Sequence, residues 1–90
     1  MIDVKSAVAR ATQYLKDVFP SARNLELEEV ELSDANQDWH VTLSFLRNVG
    51  PQAKGSVMEL MGKKYERVYK QVTVDSTTGE CRSIKIRQLQ

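Results

Sequence analysis

The sequence predicts an α+β fold in which one N-terminal helix packs on a four-stranded antiparallel sheet. Three observations lead there. Apolar residues recur at helical spacing over residues 3–19. Later segments alternate apolar and polar residues with the period of a strand. The last third of the chain, Tyr69-Lys-Gln-Val-Thr-Val-Asp-Ser-Thr-Thr-Gly-Glu-Cys-Arg-Ser-Ile-Lys-Ile86, sets two such segments around an Asp75-Ser-Thr-Thr-Gly79 turn. Glycine accepts a left-handed backbone without steric cost, so this stretch reads as a hairpin that ends a sheet.

In the helix, Val4, Ala7, Val8, Ala11, Leu15 and Val18 follow the i, i+3, i+4 spacing of one buried stripe. Asp3 is placed to cap its first turn, and Pro20 disfavours helical geometry at Phe19, which sets the end. Leu25-Glu-Leu-Glu-Glu-Val-Glu-Leu32 alternates, slips phase at Glu28-Glu29 and alternates again, the signature of a β-bulge. With the bulge in place, Leu25, Leu27, Val30 and Leu32 all face inward. A polar turn over residues 33–38 follows. Trp39, Val41, Leu43 and Phe45 then recur at period two opposite His40, Thr42 and Ser44, the clearest strand in the chain. Residues 47–62 hold Gly50-Pro51, Gly55 and Gly62 and read as a long connection, with room for one helical turn. The third strand is expected over residues 64–74 with Val68, Val72 and Val74 inward, and the fourth over residues 81–87 with Ile84 and Ile86 inward.

Ninety residues, 41% hydrophobic and 28% charged, describe one domain spanning residues 1–90 with a single core. So small a core leaves little room for a deep enclosed pocket, which favours binding or structural modules over enzymes. No apolar run approaches a membrane span and no secretion signal is read at the start, so the expected location is cytoplasmic. The lone Cys81 has no internal disulfide partner, in keeping with a reducing compartment. No cofactor, metal or disulfide is needed to explain folding. The net charge of +1 hides a division: residues 1–47 carry five Lys/Arg against eight Asp/Glu, and residues 48–90 carry eight against four. Either neighbouring strands pair their charges across the sheet, or the surface has two poles.

The helix from Val4 to Phe19, the aromatic-led strand Trp39-His-Val-Thr-Leu-Ser-Phe45 and the hairpin Val72-Thr-Val-Asp-Ser-Thr-Thr-Gly-Glu80 together resemble the PepSY family, small domains of cystatin-like build. The hairpin is similar to the family's closing V-x-V-D-x-x-T-G pattern. The resemblance implies a helix on a curled antiparallel sheet. It also implies a non-catalytic role, since such domains occur in propeptides that inhibit thermolysin-type metallopeptidases and as regulators at the cell envelope. Asp75 and Gly79 serve turn geometry in this reading and are not catalytic residues.

The residues themselves offer few chemical groups. His40 is the sole histidine and falls on the strand face away from the core, where a solvent-facing side chain is the simplest reading. Cys81 sits beside the hairpin turn, with no second histidine or helix start in the sequence to lower its pKa. Glu26, Glu28, Glu29 and Glu31 could meet a hard cation only if they converged, and alternation on a strand leaves only some on one face. They suit a charged edge strand that resists aggregation.

Two surfaces are the candidates for partner binding. Tyr65, Arg67 and Tyr69 are expected on the outward face of the third strand, near Lys85 and Arg87. Val57, Met58, Leu60 and Met61 form an apolar run in the long connection, either folded over the core or offered to a partner. The expected function is a non-enzymatic, protein-binding or regulatory module whose partner is another protein or a second copy of itself. The alternative is single-stranded nucleic acid, with the tyrosines stacking bases and the cations meeting phosphates. Against it stand the near-neutral net charge and the absence of an RNP-like motif.

Overall fold

The computed structural model describes residues 1–48 and 65–87. One helix, α1 (Val4–Val18), packs on an open antiparallel sheet of β1 (Arg23–Leu32), β2 (Asp38–Asn48), β3 (Tyr65–Asp75) and β4 (Cys81–Ile86). The spatial order is the chain order, β1-β2-β3-β4, so β1 and β4 are the two edges among the described residues. This is the α+β build that the periodicities predict.

The local signals act where the sequence puts them. Asp3 caps α1 by accepting the Ser6 amide at 2.8 Å, which also holds its carboxyl below the usual range. Phe19 closes the other end, its amide donating to the Leu15 carbonyl at 2.8 Å before Pro20 ends the helix. Ala7, Ala11 and Leu15 are fully buried, and the two alanines let the helix backbone approach the sheet closely. Across from them lie Val41, Leu43 and Phe45 of β2 and Val72 and Val74 of β3. Phe19 stacks at a tilt on Phe45, with ring centroids 5.4 Å apart.

The core is narrower than the apolar pattern suggests. Val4 and Val18, expected within the buried stripe, are 41% and 48% exposed, and Leu27 and Ile86, expected to face inward, are 49% and 77% exposed. Leu27 pairs with Leu43, and Ile86 pairs with Lys70, whose ammonium sits over the Phe19 ring. Both residues therefore project on the helix side. A single fifteen-residue helix packs mainly over β2 and β3, and leaves Leu27 in the middle of β1 and Ile86 at the end of β4 largely uncovered.

The expected bulge is present, with the register of β1 against β2 shifting between Leu27 and Glu29. Both hairpin turns lie at one end of the sheet and dock on each other. In the first turn, Ser33 Oγ accepts the amides of Gln37 and Asp38, and Asn36 adopts φ +56°. In the second, the Asp75 carboxylate accepts the Thr77 and Thr78 amides at 2.7 and 2.9 Å, and Gly79 sits at φ +78°. Ser76, fully buried, joins the two by donating its hydroxyl to the Asn36 carbonyl at 2.6 Å. The N-terminal strap locks this end: the Ile2 amide donates to the Ser76 carbonyl, and Trp39 Nε1 donates to the Ile2 carbonyl.

Candidate functional site

The face of the sheet away from α1 carries the predicted partner residues. Tyr65 pairs with Asn48, Arg67 with Leu46 and Tyr69 with Ser44, all on this outer face, as the alternation requires. Tyr65 is exposed, and the Arg23 guanidinium both donates to its hydroxyl at 3.1 Å and stands 5.6 Å from its ring centroid. The apolar run Val57, Met58, Leu60 and Met61 lies outside the described residues.

Arg67 does more than decorate the face. Its Nη1 donates to Ser44 Oγ at 2.9 Å and to the Asn24 carbonyl at 3.1 Å, and stands 3.8 Å from Glu26. Ser44 in turn donates to Glu28 Oε2 at 2.6 Å. Arg87 makes a parallel bridge, donating to Gln71 Oε1 at 2.8 Å, to Thr42 Oγ1 at 3.3 Å and to Glu29 Oε1 at 3.1 Å. These side chains cover Thr42 and Ser44 so fully that residues 41–45 of β2 are buried on both faces. The charge division of the sequence thus resolves into contacts that cross strands, with two cations of the C-terminal half reaching over β2 to carboxylates of β1.

Two expectations for this face change. Alternation alone puts Glu28 and Glu29 on opposite sides, but the bulge turns both outward, one onto Ser44 and the other onto Arg87. His40 is half-buried rather than solvent-facing, because Gln71 Nε2 donates to its Nδ1 at 3.2 Å and the Thr73 hydroxyl lies 3.4 Å away. Since Gln71 spends its carbonyl on Arg87, its amide nitrogen faces His40, which makes Nδ1 the acceptor and Nε2 the protonated ring nitrogen. Sequence reasoning missed Thr42, Ser44 and Gln71 as network members. Their position on the outer face was legible, but not the two arginines that close over them.

Chemically reactive groups are held quiet. The Cys81 thiol is pushed up in pKa by burial, and its Sγ lies 3.6 Å from the Arg10 carbonyl. Among the described residues no cluster of three or more His, Cys, Asp or Glu side chains is arranged to hold a metal ion. No described helix is long and apolar enough to cross a membrane.

Concavities flank both edges among the described residues. Where β4 ends and β3 runs on, Arg47, Arg67, Val68, Tyr69, Lys70, Ile86 and Arg87 line a shallow notch of about 460 Å³. Of its cations, Arg47 is ion-paired with Glu66, Arg67 with Glu26 and Arg87 with Glu29. At the opposite edge, Val4, Lys5, Val8, Ala9, Leu27 and Val30 line an apolar groove of about 380 Å³ between α1 and β1. No protein-family model, curated protein or solved structure matches this chain.

Proposed function

We propose that this chain is a non-enzymatic, PepSY-like module of the cytoplasm that binds protein by receiving an extended, acidic segment along its β4 edge. The observation that carries the reading is at β4 itself. Lys85 is exposed and forms no ion pair among the described residues, and its neighbour Ile86 is 77% exposed on the other face. An edge strand offers unpaired backbone donors and acceptors, and an added strand of alternating acidic and apolar residues would satisfy them. The added acid would meet Lys85 and the apolar side chain would cover Ile86. Tyr69 in the adjoining notch extends the contact beyond the end of β4.

Gln71 occupies Nδ1 of His40 and the Cys81 thiol is partly buried, which supports a binding role rather than a catalytic one. The lone thiol agrees with a reducing compartment. Nucleic acid fits less well, because the guanidiniums of Arg67 and Arg87, which would have to meet phosphates, are already matched by Glu26 and Glu29.

Fluorescence anisotropy tests the reading with three labelled probes: an extended peptide alternating Glu and Val, its Lys and Val counterpart, and single-stranded oligodeoxythymidine. The acidic peptide is expected to bind, to weaken as salt is raised and to lose binding to a K85E variant. Binding of the oligonucleotide alone, or of no probe at low salt, would overturn the proposal.

A further inference from the structure

We propose that the segment received by β4 is β1 of a second copy of this chain, so that copies add head to tail into one continuous sheet. The inference rests on the strand-receiving reading above. Three independent features of the two edges agree with it.

The first is strand polarity. In an antiparallel sheet of four, β1 and β4 run in opposite directions. A neighbouring copy in the same orientation therefore presents β1 antiparallel to β4, with its helix on the same side.

The second is charge. Glu31 of β1 pairs with His40 on the outer face, is exposed, and forms no ion pair among the described residues. Lys85 is its counterpart on β4, on the same face through its pairing with Gln71. Glu26, Glu29 and Arg87 are already matched within the sheet, so two β1 edges brought together would oppose chiefly their Glu31 carboxylates, and two β4 edges their Lys85 ammoniums. Only unlike edges escape repulsion.

The third is shape. Setting Lys85 against Glu31 of the next copy places Ile86 against its Val30 and Ile84 against its Leu32. Val30 lines the apolar groove beneath α1 together with Val4, Val8 and Leu27. The most exposed apolar side chain of one edge thus meets the apolar groove of the other, both on the helix side. A head-to-tail contact that does not close on itself continues, so assembly should grow with concentration rather than stop at a dimer.

Light scattering on the full chain, from micromolar to millimolar protein at low salt, tests this. The weight-average mass is expected to rise continuously, and both K85E and E31K are expected to abolish the rise. Mixing those two variants should restore it, because each then offers the edge that the other needs. A monomer at all concentrations, a plateau at dimer, or failure of the mixture to recover would overturn the proposal. If the chain stays monomeric yet binds the Glu and Val peptide, β4 receives a different polypeptide. Loss of both results removes the edge reading as a whole.

Discussion

Arg87, just beyond the end of β4, donates to the carboxylate of Glu29 on β1 at 3.1 Å, spanning the outer face from one edge of the sheet to the other. On the way its guanidinium also holds Gln71 and Thr42, so one side chain ties the chain just past β4 to residues of the other three strands. Because Arg87 and Glu29 are both partly exposed, the ion pair itself is worth little. The value of Arg87 lies in the polar groups it satisfies and covers.

Replacing Arg87 with Met should therefore cost about 1–2 kcal/mol in urea denaturation, whereas E29Q should cost under about 1 kcal/mol. Equal losses for the two variants would mean that the ion pair, and not Thr42 and Gln71, carries the effect.

Ser44 is fully buried, accepts from Arg67 and donates to Glu28. Ser44→Ala leaves both partners without their hydroxyl, and a loss of about 1–3 kcal/mol is expected. Adding E28Q to S44A should then cost less than E28Q alone, which a double-mutant cycle measures.

Gly79 is held at φ +78°, and a Cβ there would stand 2.5 Å from Arg10 Nε and 2.7 Å from Arg10 Cδ. Gly79→Ala should destabilise by about 1–3 kcal/mol chiefly through backbone strain, because the atoms a Cβ would meet are the far end of the exposed Arg10 side chain, which can swing aside. In an R10A background the penalty, measured by urea denaturation, should stay nearly the same. A large drop would assign the effect to the clash with Arg10.

Asp75 accepts the Thr78 and Thr77 amides and pairs with Arg82, which together lower its pKa from 3.8 to about 2. A carboxyl whose pKa is depressed on folding contributes stability that is complete above its unfolded pKa and is lost as pH falls toward the folded one. The wild-type chain should accordingly lose stability relative to D75N between about pH 4 and pH 2. Asn keeps an oxygen for the two amides but does not titrate. Parallel acid profiles for the two proteins would mean that Asp75 makes no net contribution.

Ile86 separates folding from association. At 77% exposed, its replacement by Ser should change stability by less than about 0.5 kcal/mol, measured by urea denaturation, while lowering the weight-average mass of the concentrated protein. A large stability loss would place Ile86 in the core that the periodic pattern first suggested.

The elements were legible in the sequence because each is signalled within a few residues. The Asp3 cap, the Pro20 stop, the phase slip at Glu28 and the Asp75 to Gly79 turn act over the length of one helical turn or one hairpin. Local chemistry suffices to specify them. The outward placement of Tyr65, Arg67 and Tyr69 follows from period-two alternation in the same way. The arginine bridges over Thr42 and Ser44 were not legible, since Arg67 lies 23 residues from Ser44 and Arg87 lies 45 from Thr42. Only the register of the strands brings them together.

By itself, then, the sequence determined an α+β chain with one helix, two hairpins and a bulge. Every one of these is encoded in periodicity and in residues with special backbone preferences. The tertiary structure decided which apolar residues the helix covers and which it leaves bare. Val4, Leu27 and Ile86 obey the same patterns as Ala11, Leu43 and Ile84, yet stand exposed because one short helix cannot roof four strands. It also decided that the acidic and the basic strand become opposite edges. Periodicity states which face a side chain takes, but burial depends on what lies above that face, and that is settled only when distant segments pack.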